Sequence, residues 1–582
     1  MKPPAPQLVP LRPLPTAIVA VTAITAATVT AVASVTGTST PAAWAVLAAA
    51  AATVAAAATL VWPRVATDVL GLHGTVFPAP ADGGDLPLLG RLLQVLAATA
   101  DHALAQRFMA WQRHVGFGIN FQFYVFGSRT VVLVDPADVR AVVVRADPPR
   151  DQQMLRHFGT PISADLLFLI PDPHHAAARR LMHPFLSGAP TADGVLRVVN
   201  AELGRCADAG AGAVAPVAAA AAAAGEAAAG PSWADRLDAL AAAGTAVDLD
   251  ELMTEFTLGV MHQLLFSSSP SAEETTATAT RLHRLITHIT ALSGLPLPNV
   301  VSPTKMAAAR ATGDEFVAYA AKMEARRRAE YAAGTAAPTP PRDMLDIFLA
   351  DLDQPGGAYE GDRRRVAADL LFYLMAGYDT TAHSIAWTVH ALCDNPDVEA
   401  RLLAELESAL PPPGTPLTST HLAALPYTDA VWKESLRLFP PAPLGSIRRL
   451  TADLRLPSDG SLIPAGTTIQ LPVLPVHRSP TAYPSPDAFD PSRWLPPTAP
   501  GGGGHSAADQ RAARAHFMVF SWGPRACPGQ NMAAVEAKAV LATLLRRFRL
   551  ERVGKSADVV LDNSLTLRPA GFRVTLHRRE AA

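Results

Sequence analysis

Cys527 is one of three cysteines in 582 residues. It sits in Phe520-Ser521-Trp522-Gly523-Pro524-Arg525-Ala526-Cys527-Pro528-Gly529, a glycine-flanked loop directly ahead of a helical pattern. Residues 531–548 (NMAAVEAKAVLATLLRRF) carry apolar side chains at helical spacing and basic ones in the last turn. A cysteine at such a junction faces backbone N–H groups and the positive end of a helix dipole, and both favour the thiolate, the form that binds metal. Gly523 and Gly529 let the backbone turn tightly and approach something flat. Arg525 is a fixed cation suited to a carboxylate. The chemistry indicated is a thiolate offered to a metal whose flat macrocycle carries acid groups, which is haem.

A second grouping lies upstream. Residues 368–392 (ADLLFYLMAGYDTTAHSIAWTVHAL) are apolar nearly all round, the pattern of a buried helix. In their middle stand Ala376-Gly377-Tyr378-Asp379-Thr380-Thr381. An acid and two hydroxyls inside such a helix are costly unless they have partners or a task. Gly377 permits close approach to a flat ligand. Thr380 can bond back to a carbonyl of the preceding turn and distort the helix.

These stretches resemble the cytochrome P450 family. The first is similar to its haem-binding loop, Phe-x-x-Gly-x-Arg-x-Cys-x-Gly, with every defining position filled, among them Phe520, Arg525 and Gly529. The second is similar to its oxygen-binding helix, (Ala/Gly)-Gly-x-(Asp/Glu)-Thr-Thr. The resemblance implies a mainly α fold with small β-sheets (α+β), with haem b between the oxygen-binding helix and the cysteine loop with its following helix. It makes Cys527 the iron ligand. It also implies that Thr380 hydrogen-bonds dioxygen and that Asp379 helps relay protons to it.

Three further matches follow in family order. Lys433-Glu434-Ser435-Leu436-Arg437-Leu438-Phe439-Pro440-Pro441 places Glu434 and Arg437 on one helix face and resembles the family's Glu-x-x-Arg pair. Residues 486–494 (PDAFDPSRW) resemble the segment that supplies a second arginine, here Arg493. The resemblance implies a structural triad of Glu434, Arg437 and Arg493 that holds the cysteine loop. His175 and Arg179 form His-x-x-x-Arg, which the family uses, with Trp or His first, to bind one haem propionate; His174 is the alternative to His175. Arg448 resembles the strand arginine that binds the other propionate, and Arg449 is an equally legal reading one residue on.

Composition is compatible with one large catalytic domain plus an N-terminal extension. A net charge of −2 provides no global basic field, so nucleic acid is not an expected partner. Cys206, Cys393 and Cys527 make no disulfide framework or zinc spacing, in keeping with a reducing compartment. The chain has no flavin or nicotinamide fingerprint. Electrons derived from NADPH would therefore come from a separate protein, a cytochrome P450 reductase or a ferredoxin.

The first 76 residues read as a membrane anchor or targeting segment. No Asp or Glu precedes Asp68, and residues 17–35 and 42–62 form two apolar runs, the second about the length that spans a bilayer. One or both would cross. If both do, Lys2, Arg12 and Arg64 place the two ends in the cytosol. An organelle transit peptide is the alternative. The expected location is the endoplasmic reticulum membrane with a cytosolic catalytic domain, or else a plastid or other organelle membrane. The domain itself spans 77–582, with low-complexity inserts at 207–230 and 496–510.

Within that domain, residues 120–134 predict a hairpin and 135–145 a short helix. Longer helices are expected at 247–266, 282–292, 305–331 and 342–352. Pocket residues are expected from 144–170, 286–301, 372–380, 442–447 and 563–567. Phe372, Leu444 and Ile447 there suit a lipophilic small molecule. Arg179, Arg180, Lys433, Arg511, Arg514, Arg546 and Arg547 would form a basic face for an acidic reductase. The implied activity is a monooxygenase that hydroxylates or epoxidises its substrate. The rivals are a same-fold hydroperoxide isomerase or lyase, a peroxide-driven hydroxylase, and a non-enzymatic haem sensor.

Overall fold

One helix, Arg363–Asp394, runs for 32 residues, and much of the chain packs around it. Asp362 caps its start, its side chain accepting from the Arg365 N–H at 3.0 Å. Its apolar residues occupy every face, so it must be covered on all sides. Val366–Met375 and Tyr378–Leu392 are largely buried, but Ala376 is exposed and Gly377 and Thr380 are half-buried. The computed structural model describes residues 103–579 except 126–127, 152–166, 168–172, 188, 205–232, 269–271, 293–302, 335–340 and 497–504. The N-terminal runs and the 207–230 insert lie outside the described residues. Among those described, no helix is long and apolar enough to cross a membrane.

Helix Leu249–Phe266 lies alongside the long helix. Met261 meets Gly377, the Thr257 hydroxyl donates to the Tyr378 carbonyl at 3.0 Å, and Asp250 meets His383, so the two helices run antiparallel. Its start corrects the expected helix at 247–266. Val247–Asp248 is a short strand paired with the C-terminal strand Arg573–Arg578, and the Asp248 carboxylate caps the helix that follows. The helix expected at 282–292 extends back to Ala272. Those expected at 305–331 and 342–352 occur as Pro303–Ala332 and Met344–Leu352.

The residues expected as a hairpin form strands Phe121–Val125 and Ser128–Val132, paired antiparallel. Thr468–Leu471 joins the second of these in parallel, and Ser446–Arg449 closes the four-stranded sheet antiparallel to it. After the hairpin, Pro136–Arg140 is α-helical and Ala141–Ala146 is a π turn. Helix Gln530–Arg547 begins immediately beyond the cysteine loop and packs against the long helix. Of the 496–510 stretch, Ser506 and Asp509 form a capping box that opens helix Ala507–His516, and the His505 ring stands 2.7 Å from Asp490.

Candidate functional site

The cysteine loop is tightly tied. The Cys527 N–H donates to the Phe520 carbonyl at 2.8 Å, Ala526 N–H to Gly523 at 3.0 Å, and Ser521 N–H to Met518 at 2.9 Å. Phe520 packs its ring 6.1 Å from that of Trp432. Cys527 itself is exposed, and the protein around its sulfur still desolvates the thiol. Burial pushes the thiol above its ordinary value, against the pull of the Gly529 N–H and of Arg179. The expected pull of backbone N–H groups towards the thiolate is present at Gly529, and burial opposes it. A coordinated metal deprotonates a thiol outright.

Glu434, Arg437 and Arg493 meet beneath the loop, all at most 2% exposed. The Glu434 carboxylate accepts from Arg437 Nε and Nη2 at 2.9 and 2.8 Å and from Arg493 Nε at 3.1 Å. It also accepts from Trp494 Nε1 at 3.0 Å and the Asp490 N–H at 2.9 Å. Arg437 Nη1 donates to the His477 carbonyl at 2.9 Å, and the His477 ring accepts from the Met518 N–H at 3.0 Å. The ion cluster thus reaches the cysteine loop through His477, a link that sequence reasoning missed, as it missed Trp494.

Arginines gather on the other side. Strand Ser446–Arg449 alternates its faces, so Arg448 is fully buried while the Arg449 side chain is 39% exposed and pairs with Asp151. Likewise His175 is buried and His174 exposed on helix His174–Ser187. Arg448 donates to the Pro148 carbonyl and to Ser446 Oγ, both at 2.9 Å, and its buried Nη2 has no hydrogen-bond partner among the described residues. Asp147 lies 3.5 Å from Arg448 and 3.6 Å from Arg525. Arg150, which no spacing rule singled out, donates to Ser446 Oγ at 3.2 Å and lies in the field of Arg448, Arg525 and Arg179. Burial, with the Arg525 cation against it, lowers Arg448 to about 10, despite Asp147. Three guanidinium groups, of Arg150, Arg448 and Arg525, share the Asp147 carboxylate, and together with the unmatched buried donor they suit a ligand carrying further acid groups.

On the long helix, Thr380 Oγ1 donates to the Ala376 carbonyl at 2.8 Å, and the helix stays unbroken. Asp379 is buried and both its oxygens are engaged. Oδ2 accepts from Thr566 Oγ1, and Oδ1 stands 3.2 Å from His383 Nε2. Burial alone would raise Asp379, but His383 and Thr566 outweigh it and hold the carboxyl below its usual range. Met261 packs on Gly377: a Cβ there would stand 2.4 Å from Met261 Sδ, the flexible end of a side chain that would have to move aside.

The expected basic face is thinner than its seven cations imply. Lys433 pairs with Asp429 at 2.6 Å and Arg547 with Asp238 at 2.9 Å. Arg546 and Arg514 donate to the carbonyls of Pro411 and Trp494, which leaves their charge uncompensated.

The long helix loses its burial at Ala376, Gly377 and Thr380, and the exposed Cys527 lies in the loop ahead of a helix packed against it. The chain belongs to the cytochrome P450 family, whose profile matches residues 232–576. It is 38% identical over 208 residues to pig cytochrome P450 4A24 and, to the same extent, to pig taurochenodeoxycholic 6 alpha-hydroxylase, in each case 36% of this chain and 38% of that one. It is 36% identical over 242 residues to the cytochrome P450 monooxygenase macH of Penicillium terrestre, 41% of this chain and 45% of that one. These matches span well under half of the relatives' length. The crystal structure of the P450DA haem domain superposes with a TM-score of 0.67 at 19% identity, covering 87% of this chain and 99% of that one. Family membership implies a haem cofactor, and the cysteine, the unmatched Arg448 donor and the arginine cluster fit that group.

Proposed function

We propose that this protein is a haem-thiolate monooxygenase that inserts one atom of dioxygen into a lipophilic small molecule, by hydroxylation or epoxidation. Electrons derived from NADPH would arrive from a separate reductase or ferredoxin. The observation that carries this reading is the pairing of an accessible cysteine sulfur with an acid–threonine couple placed where the long helix breaks its burial. A hydroperoxide isomerase or lyase, or a haem sensor, has no use for that couple. Two relatives are named a hydroxylase and a monooxygenase, the same reaction class.

Haem, when bound, supplies oxygen activation and electron transfer. Cys527 would hold the iron, Phe520 and Gly529 would shape the loop around it, and His175, Arg179, Arg448 and Arg525 would hold the propionates. Thr380, already engaged with a carbonyl, can swing its hydroxyl to a bound ligand, and Asp379 stands ready to pass it protons. Glu434, Arg437 and Arg493 keep the loop in place. The half-buried Phe372, Leu444 and Ile447 offer apolar wall, in keeping with a lipophilic substrate. Residues 1–76 would anchor the protein in the endoplasmic reticulum membrane, or in a plastid or other organelle membrane, with the catalytic domain in the cytosol.

The test is optical. The full chain, supplied with haem in detergent, should show a thiolate-ligated Soret spectrum that shifts from low to high spin with one class of lipophilic metabolite. Loss of that spectrum in Cys527→Ala is expected. A well-folded wild type that takes up haem without it would overturn the assignment of Cys527.

A further inference from the structure

We propose that His383, held by Asp250 on the adjacent helix, is the positioning residue through which Asp379 is resupplied with protons. This rests on the monooxygenase reading above. His383 follows Asp379 by one helical turn and is 4% exposed. Its two ring nitrogens divide between two acids on different helices, Nδ1 at 2.6 Å from Asp250 Oδ1 and Nε2 at 3.2 Å from Asp379 Oδ1. An imidazole between two carboxylates can take a proton on one nitrogen as it gives one from the other. The protonated ring gives its Nε2 proton to Asp379 Oδ1, keeps the Nδ1 proton on Asp250, and regains the lost proton from solvent; no electron moves.

The outer end of this relay is Asp250, in the first turn of helix Leu249–Phe266; it is 5% exposed and follows the half-buried Asp248. The other charged or titratable groups facing the relay are Asp248, Tyr378 and Arg568, the last paired with Asp562 at 2.8 Å. Burial opposes charge on His383, but Asp250 and Asp379 outweigh it and raise the ring to about 10. The ring therefore carries its proton throughout the neutral range. Thr566 fixes the far oxygen of Asp379, which keeps the near one turned to His383.

The experiment compares wild type, His383→Gln and Asp250→Asn as haem-loaded enzymes with reductase and substrate. Product and peroxide per NADPH, and the solvent deuterium isotope effect on NADPH consumption, are followed from pH 6 to 10. Thermal unfolding is recorded over the same range without turnover. His383→Gln should raise peroxide per NADPH several-fold, less than the roughly 100-fold at the low end for a group that itself transfers the proton to the reacting atoms, and enlarge the isotope effect. Asp250→Asn removes one of the two charges that hold the proton, so its coupling should fail at lower pH than in wild type. The sign for stability is set by a raised histidine. Its contribution is complete below 6.5, is lost as pH rises towards about 10, and should vanish in His383→Gln. A lower melting temperature with unchanged coupling and isotope effect would reduce His383 to a tie between helices and overturn the proposal. So would a melting curve whose pH dependence the substitution leaves unmoved. Wild type that forms no product would instead bring down the monooxygenase reading, and this relay with it.

Discussion

The carbonyl oxygen of Val143 stands 2.0 Å from the point where a Cβ on residue 523 would be, and Gly523 has φ +76°. The cysteine loop thus rests directly on the backbone of the π turn Ala141–Ala146. No flexible side chain can yield there. Gly523→Ala should cost roughly 2–4 kcal/mol, combining backbone strain with displacement of the turn. Urea unfolding and haem retention, measured together, check it. A neutral substitution would show that the loop does not need this seat.

Glu434 accepts hydrogen bonds from two arginines, an indole and a backbone N–H in a fully buried site. Glu434→Gln leaves Arg437 and Arg493 without their counter-charge. A loss of about 3–5 kcal/mol is expected, with faster release of haem because His477 carries the disturbance to Met518. Denaturant midpoints and haem transfer to apomyoglobin would measure the two effects. A stable variant that releases haem at the wild-type rate would separate the cluster from the loop.

Glu536, on the helix after Cys527, is fully buried, and neither of its side-chain oxygens has a hydrogen-bond partner among the described residues. Burial pushes it from 4.5 to about 8. An acid raised in the folded state costs stability as pH climbs from 4.5 towards 8, by up to roughly 4–5 kcal/mol on the linkage relation. Glu536→Gln should flatten the stability profile across that window, whatever its absolute effect. Parallel profiles for variant and wild type would refute the shift.

Thr380→Ala removes the hydroxyl but keeps the helix, because Thr380 bonds only to the carbonyl of Ala376 one turn back. Product per NADPH should fall several-fold and peroxide should rise, with melting temperature nearly unchanged. Unaltered coupling would remove Thr380 from proton delivery.

The helices were readable where periodicity and caps agree. Residues 305–331 and 342–352 were bounded to within a few positions. The start at 247 was misread because Val247 is apolar and in phase with the helix, while pairing with Val574 makes it a strand. Candidate site residues were legible as local motifs, but their orientation was not. That Arg448 is buried and Arg449 is not follows from the alternation of a strand whose neighbours lie elsewhere in the chain. That His175 is buried and His174 is not follows from which side of the helix is covered. Met261, which packs on Gly377, lies 116 positions earlier in the chain, where no local motif shows it.

The sequence by itself determined the family and the chemistry on offer: a cysteine in a glycine-flanked loop, an acid–threonine pair inside an apolar helix, and arginines at motif spacing. These are short-range patterns, carried by residue type and local periodicity. Tertiary structure alone decided which charges share a space. It joined Asp250 to His383 across 133 positions, gathered Arg150, Arg448 and Arg525 on Asp147, and enclosed Glu536 without a partner among the described residues. Electrostatic and packing energies depend on distance through space and on burial, and neither quantity is written in the order of residues.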